Sequence, residues 1–373
     1  MKIGILTQPL HDNYGGLLQA YALKTTLEKI GHDVDIINRR KDDASFKFRL
    51  RKIVKKILGK GPKFELTKLQ KEAISQHTSY FAKTYIKDIT PPIYDTEALR
   101  KIAPGYEGFV IGSDQVWRPA YSPKIANYYL DFVDNPNVKG VAYAASFGVD
   151  HWEYSEEQTK ECKANVHKIK AVSVREDSAV ELCRKHLGVE AVHVLDPTML
   201  LNKEEYIELI KIENEKQVDG GLMHYVLDKN EEKEALIQRV AQVYNYKPFT
   251  AHQKKKPTKE SVQNIEDFVF PKVTTWLNGF HSAEFIVTDS FHGTVFSILF
   301  NKPFLVIANM GRGKARFDSL LKMFHLEDRL VTDSKSIDQE KIKNLKPINW
   351  EAVNAILAEK KQFAFNFLKS NLN

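Results

Sequence analysis

Short apolar runs alternate with amphipathic segments along the whole chain. The runs Lys2 to Thr7, Phe109 to Ile111 and Phe285 to Thr288 are largely continuous, which is typical of strands covered on both faces. Between such runs, segments such as 231–244 repeat apolar residues at helical spacing. Strands that alternate with helices in this way indicate an α/β protein with parallel sheets.

The alternation of strands and helices begins again after residue 200, and this restart predicts two domains. The 373 residues are enough to give each domain its own core. We predict an N-terminal Rossmann-like domain at 1–200, which carries a basic helical insertion at about 41–90. A C-terminal Rossmann-like domain is predicted at 201–349, across a cleft from the first. The segment 350–373 is predicted to be a helix that packs back on the first domain.

The charge distribution changes this picture in one place. The formal net charge is +7, but the excess of Lys and Arg is concentrated between Arg39 and Lys71. A single basic patch argues against a nucleic-acid-binding protein. Residues 46–58 form a basic amphipathic pattern, which indicates either peripheral contact with an anionic membrane surface or the solvated face of an insertion.

The sequence lacks the patterns of a membrane span, a disulfide framework or a metal site. No run reaches the ~18 apolar residues of a membrane span, and the chain opens in a predicted strand. We therefore expect a cytoplasmic location. Contact of the basic segment with lipid would place the protein at the inner face of the membrane. Cys162 and Cys183 form no CxxC pair, and no HExxH motif or Cys/His cluster occurs. We therefore expect no cofactor and no bound metal ion.

The run from Thr288 to Thr294, Thr-Asp-Ser-Phe-His-Gly-Thr, joins a predicted buried strand to a predicted helix. His292 therefore stands at the carboxyl end of a strand, where open α/β sheets bind their ligands. The first turn of a helix attracts anions and disfavours an imidazolium, so His292 is a candidate general base. The alternative is a histidine that only caps or packs the turn.

Two other strand ends carry glycines and polar residues. Gly15 follows the first strand and either forms a tight turn or lets a ligand approach the backbone; neither a G-x-G-x-x-G motif nor a Walker lysine accompanies it. In the segment Gly112 to Arg118, Asp114 either caps a helix or orients a hydroxyl group. Trp117 of the same segment either stacks on a sugar or belongs to the core.

Two cationic positions are candidates for binding an anion. Arg175 follows a predicted strand and either holds a carboxylate or phosphate with its planar fork or pairs with Glu176, Asp177 or Asp196. The segment Gly311 to Arg316 is predicted to be a mobile cationic loop, which either closes over an anion or is simply solvated.

Taken together and in this order, these segments resemble the polysaccharide pyruvyl transferase family. The segments are Asn13-x-Gly15, Gly112 to Trp117, Ser146 to Gly148, Ser173 to Arg175, Asp196 to Thr198 and Thr288 to Thr294. The resemblance implies a GT-B-like fold, with two Rossmann-like domains facing a cleft. It also implies transfer of pyruvate from phosphoenolpyruvate to two hydroxyls of a sugar, free or lipid-linked, which yields a cyclic ketal and phosphate in exopolysaccharide, capsule or cell-wall glycan biosynthesis.

The resemblance also implies roles for particular residues. The donor-site arginine falls on Arg175, the donor-site histidine on His292, and a further donor-site cation on the segment 312–316, where Lys314 matches best. His292 and Asp114 are the candidates for acid–base work, with Asp289 as the residue that orients His292. Further implied donor-binding residues are Ser290, Gly293, Thr294 and Arg312, with helix N–H groups near Gly293 holding the phosphate. Implied acceptor-binding residues are Asn13, Gly15, Gly16, Gln115 and Trp117.

Two other functions remain open on the sequence. A GT-B-type glycosyltransferase that uses a nucleotide sugar would have the same fold and could bind a diphosphate with the same cations. A noncatalytic protein that binds a glycan or an anion would keep the cleft without the reaction.

Overall fold

The computed structural model describes residues 1–10, 12–42, 66–253, 265–308 and 313–373. Residues 43–65 of the predicted basic insertion, including the amphipathic pattern at 46–58, lie outside these ranges, and so does Arg312.

The first sheet is wholly parallel and is assembled from the N-terminal half of the chain. Its strands are β1 (Lys2–Leu6), β2 (Asp33–Ile36), β3 (Gly108–Ile111), β4 (Lys139–Ala145), β5 (Ala171–Val174) and β6 (Val192–His193). Their order is β2-β1-β3-β4-β5-β6. All four residues of β3 are buried, as the continuous apolar run of a doubly covered strand requires.

The second sheet is also wholly parallel and follows in the chain. Its strands are β7 (Gly221–Tyr225), β8 (Lys247–Phe249), β9 (Phe285–Thr288), β10 (Phe304–Ile307) and β11 (Leu330–Val331). Their order is β11-β10-β9-β7-β8. Two parallel sheets in succession confirm the predicted α/β class and the two Rossmann-like, GT-B-like domains.

Helices connect these strands within the described ranges. They are α1 (Tyr14–Lys29), α2 (Lys68–Ile74), α3 (Gln76–Phe81), α4 (Thr96–Ile102), α5 (Glu156–Asn165), α6 (Asp177–Leu182), α7 (Lys203–Ile212), α8 (Glu231–Tyr244), α9 (Val273–Ser282), α10 (Phe291–Leu299), α11 (Lys314–Met323), α12 (Gln339–Lys343) and α13 (Trp350–Leu372). Short π-helical turns continue α3 and α6 at Ala82–Ile86 and Cys183–Leu187. None of the helices in these ranges has the length and apolar character needed to cross a bilayer.

Helix α1 of the first domain packs directly against the second domain. The ring of Tyr14 stacks on Trp276 of α9 at 5.5 Å, and its hydroxyl donates a hydrogen bond to the carbonyl of Pro271. Both rings are buried and belong to a hydrophobic cluster that also includes residues of α10. This contact brings the first turn of α1 close to the first turn of α10.

The last helix, α13, lies against the first sheet. Leu368 is fully buried in the same cluster, and the ring of Phe367 lies 6.4 Å from Tyr143 of β4. Near the end of the helix, Lys139 Nζ donates to the carbonyl of Leu372 at 3.1 Å. The helix therefore reaches back from the second domain to the first.

We expect Leu368→Ala to lower the free energy of unfolding by about 2–5 kcal/mol, because it removes a fully buried side chain and leaves a cavity. Phe363→Ala on the same helix is the control. Its side chain is 47% exposed, so we expect a change within about 0.5 kcal/mol. Urea unfolding measures both, and equal losses in the two variants would contradict this placement of α13.

Candidate active site

A partly open cavity lies between the two domains. The first domain lines it with Asn13, Asp114, Gln115 and Tyr121, and the second with Leu227, Asp289, Ser290, Phe291, His292, Arg316 and Phe317. Several residues predicted from separate motifs therefore meet in one place.

The cavity lies where the strand order reverses in both sheets. The chain order turns back between β1 and β3 in the first sheet and between β7 and β9 in the second. Asn13 and Asp114 follow β1 and β3, while Leu227 and His292 follow β7 and β9. Open α/β sheets bind ligands at such switch points, beyond the carboxyl ends of their strands.

His292 occupies the first turn of α10 and fits against Gly15 of the other domain. A Cβ atom at Gly15 would lie 2.0 Å from Nδ1 of His292, closer than any real contact. Gly15 itself is in the first turn of α1. Gly15 is therefore needed for the close approach of the imidazole, rather than for a tight turn. Gly16, the next residue, also lies in α1, and a Cβ there would be 3.3 Å from the side-chain nitrogen Nδ2 of Asn13.

The partner of His292 is Asp196 and not Asp289. Nε2 of His292 is buried without a hydrogen-bond partner and lies 3.6 Å from Oδ2 of Asp196, which is ion-pair range but longer than a hydrogen bond. Oδ1 of Asp196 accepts from the backbone N–H and the hydroxyl of Thr198, at 3.0 and 2.7 Å. Asp196 is thereby fixed with its second oxygen towards the imidazole.

The predicted role of Asp289 as the group that orients His292 is wrong. Its carboxylate is fully buried and turned towards the loop after β7. It accepts from the backbone N–H groups of Leu227 and Asp228, at 2.7 and 3.1 Å, and from Nζ of Lys233 at 2.6 Å. Asp289 therefore holds the cavity wall that contains Leu227.

Arg175 bridges two carboxylates beside the cavity. Its Nη1 donates to Asp196 at 2.9 Å and its Nη2 to Asp114 at 3.2 Å, with the side chain only 1% exposed. Burial raises the pKa of Asp114, but Arg175 and then His292 outweigh it, so the net pKa is lowered. The pKa of Asp196 is lowered in the same way, by His292 and Arg175 against burial. Both carboxylates are therefore charged at neutral pH.

The pairing with Asp196 was one of the two alternatives for Arg175, and the structure shows it. The guanidinium lies behind Asp114, with its Cζ 4.6 Å from the ring centroid of Phe291. The contact between Arg175 and a donor stays a prediction.

Among the residues that the structure describes, the cation on the cavity wall is Arg316. The segment that starts at Lys314 is the helix α11 and not a mobile loop, and the chain enters it at Gly313 with a positive φ of 87°. Lys314 pairs with Asp318 one turn further on, at 2.7 Å, and does not line the cavity, so its assignment as the best donor contact is corrected. Arg316 is buried. Burial and the neighbouring Arg175 lower its pKa to about 10, which still leaves it charged at neutral pH.

The N–H groups of Gly293 and Thr294 are already engaged within α10. The N–H of Gly293 donates to the hydroxyl of Ser290 at 3.3 Å, and that of Thr294 donates to the carbonyl of Ser290 at 2.9 Å. Ser290 is thus the N-cap of α10. The absence of a side chain at Gly293 serves packing, since a Cβ there would lie 2.2 Å from Oγ1 of Thr288. Binding of a phosphate by the first turn of α10 stays a prediction.

Trp117 is a core residue and does not reach the cavity. It is fully buried, its Nε1 donates to the carbonyl of Tyr128 at 3.0 Å, and its ring stacks on Tyr129 at 5.1 Å. The prediction that it binds the acceptor is wrong. The aromatic residue that does line the cavity is Tyr121, three residues beyond this segment, and the sequence analysis missed it.

Within the described ranges, no group of three or more His, Cys, Asp or Glu side chains is arranged to hold a metal ion. What the cavity offers is a buried guanidinium, an imidazole faced by a fixed carboxylate, and a second carboxylate, Asp114. Such a set can bind an anion and move protons.

A family model described as polysaccharide pyruvyl transferase matches residues 13–310, which is most of the chain. The chain belongs to the polysaccharide pyruvyl transferase family. The match runs from the start of α1 to just beyond β10, so that β1 and β11 lie outside it, and it includes His292, Asp114 and Asp196. No match was found among curated individual proteins.

Solved structures similar to this chain include two epimerases and a glycosyltransferase. A UDP-GlcNAc 2-epimerase from Neisseria meningitidis, bound to UDP-GlcNAc, is 8% identical over 98% of this chain and 94% of its own, with a TM-score of 0.49. The UDP-GlcNAc 2-epimerase from Methanocaldococcus jannaschii is 14% identical over 96% of this chain and 99% of its own, with a TM-score of 0.49. A glycosyltransferase from Rickettsia africae is 9% identical over 100% of this chain and 94% of its own, with a TM-score of 0.46.

We expect Gly15→Ala to displace the imidazole of His292, because the added methyl group would overlap its ring. Overpacking of this kind costs about 1–3 kcal/mol. A crystal structure of the variant and its urea unfolding curve measure both effects. Gly105→Ala is the control, since a Cβ there meets nothing within 4 Å. An unmoved His292 in a variant of normal stability would contradict the contact.

We expect Asp196→Asn to destabilise the protein by about 3–5 kcal/mol at neutral pH, because it leaves the buried Arg175 with one charged partner fewer. The stabilisation from Asp196 is present above the unfolded-state pKa of about 3.8 and is lost as the pH falls below it, because the folded-state pKa is lowered.

Urea unfolding between pH 2 and pH 7 tests this expectation. The free energy of unfolding of the variant should rise less steeply with pH in the acid range than that of the wild type. Glu176 acts with the opposite sign, because burial raises its pKa, but it is common to both proteins and cancels in the difference. Parallel curves would show that Asp196 is not paired in the folded protein.

Proposed function

We propose that this transferase moves the pyruvyl group of phosphoenolpyruvate to two hydroxyls of one sugar, forming a cyclic ketal and releasing inorganic phosphate. The observation that carries the proposal is the meeting of Arg316, His292 and Asp114 in a single cavity between the two domains of a chain from this family. The reaction needs an anion site, a proton donor and a group that orients a hydroxyl, and each of these residues suits one of the three needs.

Arg316 is the proposed contact for the donor. Phosphoenolpyruvate carries a carboxylate and a phosphate, and a guanidinium binds either with two parallel hydrogen bonds. Arg175 supports this binding from behind, because it neutralises Asp114 and Asp196. Without it, two buried carboxylates would repel the anionic donor.

The proposed reaction starts with protonation of the methylene carbon of the donor by His292. The electron pair of the carbon–carbon double bond forms the new C–H bond, and the neighbouring carbon becomes an oxocarbenium-like centre. One sugar hydroxyl adds to that carbon and loses its proton, phosphate leaves with the electrons of its C–O bond, and the second hydroxyl closes the ketal. Of the two hydroxyl protons, one replaces the proton that His292 gave to the methylene carbon, and the other leaves on the released phosphate.

The acid–base roles follow the geometry of the side chains. Asp196 lies 3.6 Å from Nε2 of His292 and orients the imidazole, which is the proposed donor of the proton to the methylene carbon. Asp114 is ionised and lines the cavity, so it is the proposed acceptor of a hydrogen bond from the sugar hydroxyl. Docking of the 46–58 segment on a membrane and the use of a lipid-linked sugar stay predictions.

The test is release of phosphate from phosphoenolpyruvate in the presence of sugar acceptors, with the ketal product identified by mass spectrometry. We expect His292→Gln and Arg316→Met each to lower kcat/KM by at least about 100-fold, since one removes the proton donor and the other a charged donor contact. Lys322→Met, on the exposed face of α11, should leave it unchanged.

Turnover of a nucleotide sugar with no turnover of phosphoenolpyruvate would contradict the proposal and favour glycosyl transfer. Full activity in both His292→Gln and Arg316→Met would contradict the assigned roles.

A further inference from the structure

The two walls of the cavity differ in chemistry. The second domain contributes His292 and Arg316, which suit an anion. The first domain contributes the amides of Asn13 and Gln115 and the aromatic ring of Tyr121, which suit a neutral molecule rich in hydroxyls. The proposed donor accounts for the wall of the second domain, whereas on the wall of the first domain only Asp114 has been given a role.

Tyr121 is the exposed aromatic ring of this wall. It is 46% exposed, whereas Phe291 and Phe317, which also line the cavity, are 5% and 1% exposed. A large half-exposed ring at a cavity differs from an isolated surface tyrosine, because polar side chains that can bind hydroxyls surround it. It offers an apolar face bordered by hydrogen-bonding groups.

The ring of Tyr121 is held in place from one side. Cζ of Arg118 lies 4.8 Å from the ring centroid, and its Nη1 lies 3.4 Å from the Tyr121 hydroxyl. Arg118 is fixed in turn by two hydrogen bonds to the carboxylate of Glu153, at 2.9 and 3.0 Å. The same Nη1 donates to Oε1 of Gln115 at 3.3 Å. The ring and the neighbouring amide are therefore ordered before a ligand arrives, which lowers the entropic cost of binding.

We propose that Tyr121 completes the acceptor subsite expected at Asn13 and Gln115, and that the C–H face of a pyranose ring stacks on Tyr121. A pyranose has an apolar face of C–H groups and a rim of hydroxyls, and this wall matches both. The stacked sugar lies in the same cavity as His292 and Arg316, so its hydroxyls meet the bound donor there. Only the identification of this sugar as the acceptor rests on the proposed function.

Saturation-transfer NMR tests the subsite without any donor. The probes are the methyl α- and β-pyranosides of glucose, galactose and mannose, and the proteins are wild type, Tyr121→Phe, Tyr121→Ala and Tyr94→Ala. Tyr94 is the matched control, because it is 47% exposed and does not line the cavity. We expect transfer to the C–H protons of at least one pyranoside with wild type, Tyr121→Phe and Tyr94→Ala, and about tenfold weaker binding with Tyr121→Ala.

Identical spectra from Tyr121→Ala and wild type, with or without transfer, would overturn the subsite. Thermal unfolding checks that each variant is folded, and Tyr121→Leu replaces Tyr121→Ala if the latter is not.

A second readout separates this inference from the proposed function. Stabilisation of the protein by phosphoenolpyruvate should be the same in Tyr121→Ala and wild type, because the donor contacts lie on the other wall. Pyranoside binding that depends on Tyr121, without turnover of phosphoenolpyruvate by any sugar, would uphold the subsite and reject the reaction. Ketal formation by Tyr121→Ala with an unchanged KM for the sugar would uphold the reaction and reject the subsite.

Discussion

The buried guanidinium of Arg175 is the interaction on which the candidate site depends. A charge inside a protein costs several kcal/mol unless it is paired, and Arg175 pairs with Asp196 and Asp114 at once. It therefore allows two ionised carboxylates to lie beside a cavity that we propose to bind an anion. Thr198 holds the other oxygen of Asp196. Asp196 is therefore fixed between Arg175 and His292, and its position sets that of the imidazole.

The same network joins the two domains. Asp196 belongs to the first domain and His292 to the second, and the imidazole reaches its position only because Gly15 has no side chain. A second close approach lies nearby, where a Cβ at Gly313 would be 1.8 Å from the carbonyl oxygen of Gly148. Stacking of Tyr14 on Trp276 in the core also holds the two domains in this arrangement. The proposed reaction therefore needs both domains held in one arrangement, with one wall for the donor and the other for the sugar.

The sequence predicted which strand ends form the site but not which side chains act there. His292, Asp114 and Asn13 could be found because the carboxyl ends of parallel strands meet at one edge of a sheet. The choice of Asp289 over Asp196 failed because adjacency along the chain does not determine where a side chain turns after a strand. Lys314 was preferred to Arg316 because it best matched the further donor-site cation that the resemblance implies, and the start of α11 was predicted to be a loop. In a helix, Arg316 shares the buried face with Phe317, Leu320 and Leu321, and that spacing is the signal that could have found it. Trp117 and Tyr121 are aromatic residues four positions apart in one polar stretch, and the sequence does not show which of them is buried. In the structure it is Trp117, because Tyr129 packs on its ring.

A crystal structure with phosphoenolpyruvate bound would test the proposed donor site. We expect the donor in the cavity between the domains, with carboxylate or phosphate oxygens within about 3.2 Å of the Arg316 guanidinium and the methylene carbon facing His292. Arg175 should remain paired with Asp114 and Asp196. Phosphoenolpyruvate bound away from Arg316 and His292, or a nucleotide sugar bound in the cavity in its place, would show that these residues do not form the donor site.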